Sequence, residues 1–407
     1  MSWLTGVEDK TKLFQAIRIM KNRITRLVTI WLALLCLNTI AFAQTTNAPT
    51  QNDTQKRSHF WWRDGAPGQR PYTADNKKMA LISVKGNKFV DPDGKTVLFR
   101  GLAISDPDKL EMQGHWNKEY FVKVKEMGAT LVRIPVHPVA WRERTPAEYL
   151  KLLDQAIGWC TELDMYVILD WHTIGNLETE VFQDPMYETT KQETYEFWRA
   201  MSRHYAGHNT VAFYELFNEP TTYRNQLGPV SWDAWKKTVE EEITIIRAYN
   251  PQAIPLVAGF DWAYDLTPLI LSPIAAEGIG YTVHPYANKR PQPWESKWEE
   301  DFGFAAAKYP MIATEFGGFA RPPSTNSPPP AADSTGRGNR NNATTAAYGP
   351  AIMKYLEGKG ISWTVWCFDP EWGPTLIRNW NFDLTPSGEF AKAAMNGEIN
   401  TTSEPQK

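Results

Sequence analysis

A (β/α)8 barrel is the fold class this sequence predicts, and three observations predict it. Eight short apolar runs recur along the chain, at 97–103, 130–136, 166–169, 211–217, 255–260, 278–283, 311–314 and 362–368. Segments with helical spacing lie between most of them, and parallel strands require such crossover connections. Nearly every run closes on a polar or aromatic residue, at the strand ends where a barrel of this kind carries its chemistry.

The elements follow in order from the N-terminus. Lys21, Arg23 and Arg26 precede an apolar stretch, 27–43, that closes on Ala41-Phe42-Ala43. That pattern predicts a secretory signal peptide within an N-terminal segment 1–43, with translation starting at Met20. The stretch is shorter than the roughly 20 residues of a membrane-spanning helix. A polar linker, 44–78, includes Phe60-Trp61-Trp62. Runs at 81–84 and 89–90 flank Lys85-Gly86-Asn87-Lys88 and predict a small β-hairpin at the start of the (β/α)8 domain, 79–397. Helices are expected at 118–127, 147–163, 190–205, 232–249, 296–307, 346–357 and 387–395, with a weaker one at 265–271. A segment rich in Pro, Gly, Asn, Ser and Thr, 321–345, has too little apolar content to pack and is expected to be a loop after the seventh strand. Residues 398–407 form a polar tail.

Composition narrows the function. With 42% hydrophobic and 13% aromatic residues, the chain is globular rather than disordered. Removal of residues 1–43, which carry six Lys/Arg and two Asp/Glu, takes the formal charge from −3 to −7. An acidic surface argues against nucleic acid and against anionic membranes, and suits a neutral substrate. Of three cysteines, Cys36 lies in the signal, and Cys160 and Cys367 are expected to be buried thiols rather than a bridge.

The strand ends carry Arg133, Asp170-Trp171-His172, Asn218-Glu219-Pro220, His284-Pro285-Tyr286, Glu315 and Trp366. A buried carboxylate at a strand end costs several kcal/mol, roughly, unless it is paired or used. Glu219 and Glu315 end strands four and seven, which face each other across an eight-stranded barrel. Two carboxyl groups roughly 5–5.5 Å apart are what retaining glycoside hydrolysis requires. One serves as acid and then base, and the other attacks the anomeric carbon. No metal or organic cofactor is expected, because carboxylates meet both needs. His115, His137, His204 and His208 have no metal-ligand spacing.

These residues together resemble glycoside hydrolase family 5, the cellulase and mannanase family of clan A, over about residues 81–396. The resemblance implies Glu219 as acid/base and Glu315 as nucleophile. It implies Asn218 on the substrate 2-hydroxyl, Arg133 orienting the nucleophile and His284 tuning the acid/base. His172 and Tyr286 would line the cleaved sugar's site, over a floor formed by Trp366. The insertion after Glu315 departs from compact members and leaves the cleft's shape open.

Several of the 18 Trp follow strands. Trp171, Tyr223, Trp262, Trp294 and Trp372 are therefore candidate outer-subsite platforms, whereas Trp159, Trp198 and Trp235 fall within helical patterns and are expected in the core. Arg133 has a second reading as the counter-ion of Glu215, and Asp170 as the brace of His172. The expected protein is a secreted, monomeric, retaining endo-β-glycosidase of β-1,4-linked polysaccharide, with no stable membrane insertion after signal cleavage. β-Mannanase and xyloglucanase are alternatives within the family. A transglycosylase would share every one of these residues. A carbohydrate-binding pseudoenzyme is the alternative outside enzymology.

Overall fold

The structure is a computed structural model, and it describes residues 72, 78–319 and 342–399, the side chains of the last segment from residue 347. The signal segment, nearly all of the linker, the insertion as far as residue 341 and the tail from residue 400 lie outside the described residues.

Eight parallel strands close a barrel: β3 (Arg100–Ala103), β4 (Leu131–Val136), β5 (Tyr166–Trp171), β8 (Val211–Glu215), β10 (Ile254–Ala258), β11 (Gly280–Val283), β12 (Met311–Ala313) and β13 (Ser362–Val365). Each falls within or overlaps one of the eight apolar runs. The hairpin β1 (Ser83–Lys85) and β2 (Lys88–Val90) is antiparallel. A small second sheet joins β6 (Ile174–Asn176), β7 (Val181–Phe182) and β9 (Glu219–Pro220), which the apolar pattern does not reveal.

The helices are α1 (Pro107–Met112), α2 (Lys118–Glu126), α3 (Pro138–Arg144), α4 (Pro146–Glu162), α5 (Lys191–His204), α6 (Trp232–Tyr249), α7 (Glu295–Asp301), α8 (Asn342–Lys359) and α9 (Pro386–Met395). Caps fix several starts. The side chains of Asn117, Thr190, Ser231 and Thr385 accept from the backbone N–H of Tyr120, Glu193, Ala234 and Gly388. Each such cap is worth about 1 kcal/mol. Helix α8 begins at Asn342, so the insertion ends a few residues earlier than its composition implies.

Strand alternation sorts the side chains into two sets. Val132, Ile134, Val167, Leu169 and Tyr214 point outward and pack with Phe197 and Trp198 of α5 and their neighbours in the larger core. Leu131, Ile168, Phe213, Leu256 and Ile312 point inward and meet Ile82, Phe89 and Phe99, an apolar floor closed by the hairpin. Above that floor the inward positions turn polar: Arg133, Asp170, Glu215, Thr282, Thr314 and Thr364 are all fully buried. One cation and two carboxyls thus occupy the middle of the barrel, directly beneath the strand ends. Cys160 and Cys367 are buried free thiols.

Candidate active site

The strand ends surround a cleft of about 440 Å³, and Glu219, Glu315, Asn218, His172, Tyr286 and Trp366 all line it. One carboxylate oxygen of Glu219, one of Glu315 and one ring nitrogen of His284 lie within 4.8 Å of one another. Both glutamates are almost buried, each about 8% exposed.

Fixed donors surround Glu315. Tyr286 donates its hydroxyl to Oε1 at 2.9 Å, and Arg133 donates Nη1 to Oε2 at 3.0 Å. Burial pushes this carboxyl above its ordinary range; His284 and Arg133 pull it down, while the charge of Glu219 pushes it further up. Two carboxyls this close in a poorly solvated cleft share a proton more readily than they both ionise.

Arg133 answers to four groups. Nε donates to Glu215 Oε2 at 2.7 Å, Nη2 reaches Glu215 Oε1 at 3.2 Å and Asn218 Oδ1 at 2.6 Å, and Nη2 stands 3.0 Å from Asp170 Oδ2. Arg133 is thus paired with Glu215 and also touches Glu315. With its Oδ1 held by a cation, the amide of Asn218 can be oriented only one way. Its Nδ2 is buried at the cleft and has no hydrogen-bond partner among the described residues.

Two histidines sit in opposite electrostatic surroundings. Burial, reinforced by His137, Arg133 and His284, pushes His172 well below the ordinary imidazole range, so it is neutral. Its Nδ1 lies 2.6 Å from Asp170 Oδ2, which makes Asp170 its brace. Burial pulls His284 down as well, but Glu315, Glu215 and Glu219 outweigh it and raise it to about 9. Its Nδ1 lies 3.1 Å from Glu219 Oε1.

The aromatic wall is built from Trp366, whose ring is parallel to His172 within 1° at 5.4 Å and to Trp372 within 12° at 6.1 Å. Lys109 anchors the loop that carries Trp372: its Nζ lies 2.5 Å from buried Asp369 and 5.1 Å from the centre of the Trp372 ring. Asp369 Oδ1 in turn accepts from the backbone N–H of Glu371 and Trp372.

Two platform expectations fail. Trp171 is fully buried, stacks on Phe197 of α5 at 4.1 Å and donates Nε1 to Thr194. Asp170 faces the barrel interior, so its neighbour on the strand must face the helices. Trp294 is also buried, stacked at 5.9 Å on Trp298 one helical turn away. Tyr223 and Trp262 instead meet edge to face at 5.7 Å, with Trp262 Nε1 bonded to Gln183. Trp262 lies in a left-handed turn of Asp261, Trp262 and Ala263, with φ of 56°, 57° and 55°. Such a run of non-glycine residues needs outside support, which Lys289 Nζ supplies by donating to Asp261 O at 2.6 Å.

His137, which has no metal-ligand spacing in the sequence but follows strand β4, lines the cleft with Tyr187. Its Nδ1 and its backbone N–H both lie within hydrogen-bond reach of Asp106 Oδ2, at 2.9 and 2.8 Å. The signal was the same alternation that places Arg133 and Pro135 inward.

The family model for cellulase (glycosyl hydrolase family 5) matches residues 90–371. The chain belongs to glycosyl hydrolase family 5. A β-glucanase of Saccharophagus degradans, solved in complex with cellotetraose, is 43% identical with a TM-score of 0.73, over 84% of this chain and 100% of that one. Endoglucanase A of Butyrivibrio fibrisolvens is 30% identical over 52% of this chain and 46% of its own length. An endoglucanase of Clostridium saccharobutylicum is 24% identical over 79% of this chain and 66% of its own. The chain thus spans about half to two thirds of the length of these two curated relatives. No described helix is long and apolar enough to cross a membrane.

Proposed function

We propose that this family 5 protein is a retaining endo-β-1,4-glucanase, with Glu219 as acid/base and Glu315 as nucleophile. The observation that carries the reading is the approach of the two carboxylates to within 4.8 Å across one cleft. Inverting enzymes need about 6.5–9.5 Å, to leave room for a water between sugar and base.

Both oxygens of Glu315 accept from fixed donors, so the shared proton resides on Glu219. Glu315 attacks the anomeric carbon and forms a C–O bond. The bond to the leaving sugar breaks, its electron pair goes to the leaving oxygen, and that oxygen takes the Glu219 proton. Glu219, now a carboxylate, then removes a proton from water as the water oxygen displaces Glu315, and two inversions give retention. The free Nδ2 of Asn218 suits the substrate 2-hydroxyl, a contact that strengthens as positive charge builds on the ring. Neutral His172, braced by Asp170, presents its other nitrogen to a sugar hydroxyl. Trp366 and Trp372 offer parallel apolar faces to successive rings.

The β-glucan preference is supported by the 43% identical β-glucanase that was solved with cellotetraose. We further propose export through the signal at 20–43 and action as a monomer, since one chain supplies every group of the cleft. Digestion of cellotetraose followed at once by proton NMR tests the reading. The first product is expected to be the β-anomer. An α-anomer would overturn retention, and cleavage of mannan without cleavage of cellotetraose would overturn the glucan assignment.

A further inference from the structure

We propose that Glu215 is a positioning residue for proton donation: from the polar middle of the barrel it fixes Arg133 against Glu315 and holds His284 as a cation against Glu219. The inference rests on the acid/base reading of Glu219. Glu215 is fully buried, and no part of the mechanism above uses it. Its Oε2 receives Arg133 Nε at 2.7 Å. Its Oε1 receives the Thr314 hydroxyl at 2.7 Å and stands 3.4 Å from His284 Nε2.

The protonation of His284 follows from what its nitrogens face. Thr314 has one hydroxyl proton and gives it to Glu215. Its lone pairs are left to accept, so His284 Nε2, 3.1 Å away, donates. Nδ1 faces Oε1 of Glu219 at 3.1 Å, and with the Glu219 proton on the oxygen that meets the leaving group, Nδ1 donates to Oε1 too. An imidazole with two donating nitrogens is an imidazolium. Glu215 and Glu315 are the anions around this ring, and Glu219 is its hydrogen-bond partner at the cleft. Arg133 and His172 face the same network from β4 and from the end of β5, and Asp170 lies beside them. Burial raises Glu215, but Arg133 and His284 together hold it down to about 2, so it remains charged throughout the working range.

The consequence is a division of labour on Glu219. One oxygen accepts from His284 throughout, which leaves the other to hand its proton to the leaving oxygen. The carboxylate that results already has a cation beside it. Without the charge on Glu215, burial would neutralise His284, and the carboxylate that Glu219 becomes on donation would have no cation beside it.

Glu215→Gln in the full chain tests this, with folding checked by circular dichroism. In the wild type, nitrogen NMR, with the ring assigned by a His284→Asn control, is expected to find both His284 nitrogens protonated at pH 7. In Glu215→Gln the ring should lose its proton at least about one pH unit lower. Glucan hydrolysis, which needs the acid, should fall about 10²-fold, and cleavage of 2,4-dinitrophenyl cellobioside, which does not, by less than about 10-fold. Glu215→Asp should restore the charge on His284. An unchanged His284 titration, or equal losses on the two substrates, overturns the proposal. Should Glu215→Gln fail to fold, the wild type still decides: a His284 ring with only one nitrogen protonated at pH 7 overturns the proposal. A wild type that cuts no β-glucan would sink the proposed function, while the NMR comparison would still judge Glu215.

Discussion

Arg133 and Glu315 meet at 3.0 Å through Nη1, and the rest of the same guanidinium is spent on Glu215, Asn218 and Asp170. A single cation therefore neutralises the floor of the active site and aims its carboxylate. Arg133→Met leaves buried charges without a partner, and breaking a buried pair in this way costs about 3–5 kcal/mol. Guanidinium chloride unfolding should register that loss, and Arg133→Met/Glu215→Gln should recover part of it, because fewer charges are then stranded. A single variant within about 1 kcal/mol of wild type would show that the buried charges find another partner.

The aromatic wall separates binding from packing. Trp372→Ala removes a ring that lines the cleft, and aromatic contacts contribute about 0.5–1.5 kcal/mol. KM for cellotetraose should rise about 3–10-fold, with little change in kcat on a short aryl substrate. Trp171→Phe should do the reverse, since Trp171 is buried against α5. It should leave both kinetic constants nearly unchanged and lower stability by about 1 kcal/mol, mainly through the lost bond to Thr194. A kinetic defect in Trp171→Phe would place that ring back at the substrate.

What the sequence made legible was whatever obeys a period. All eight barrel strands, the hairpin and helices such as α6 follow from apolar spacing, and the polar strand ends point at Glu219 and Glu315. The failures came from reading position along the chain without the pleat. Because Asp170 and His172 face inward, Trp171 faces out, and alternation alone would have placed it. Trp294 and Trp298 stand four residues apart, a helical neighbour pair, and that spacing marks packing. His137 continues the inward series from Arg133 and Pro135. Other features carry no periodic signal at all. The capture of Lys109 by Asp369, and the left-handed turn that presents Trp262, depend on contacts between loops distant in sequence.

The division of roles between the two glutamates has a stereochemical signature. Glu219→Ala should lower turnover of glucan about 10²–10⁴-fold. With 2,4-dinitrophenyl cellobioside, azide should restore part of the rate by attacking the glycosyl-enzyme, which gives a β-azide. In Glu315→Gly, azide replaces the nucleophile itself and attacks the substrate from the opposite face, which gives an α-azide. Product NMR distinguishes the two, and an exchange of anomers between the variants would exchange the roles.

Glu242 of α6 supplies the last prediction, away from the cleft. It is fully buried, and neither carboxyl oxygen has a hydrogen-bond partner among the described residues. Burial pushes it well above the ordinary glutamate value of 4.5; the positive charge of Lys191 only partly opposes this. The folded protein therefore keeps this proton at pH values where the unfolded chain has released it. Where the unfolded state binds fewer protons, stability falls as pH rises, so this residue weakens the fold progressively above about pH 4.5. Glu242→Met fills similar volume and has nothing to ionise. Its unfolding free energy, relative to wild type, should improve steadily from pH 5 towards pH 8. A stability difference that does not change with pH would mean that Glu242 is already ionised in the fold, held by a partner it gains in solution.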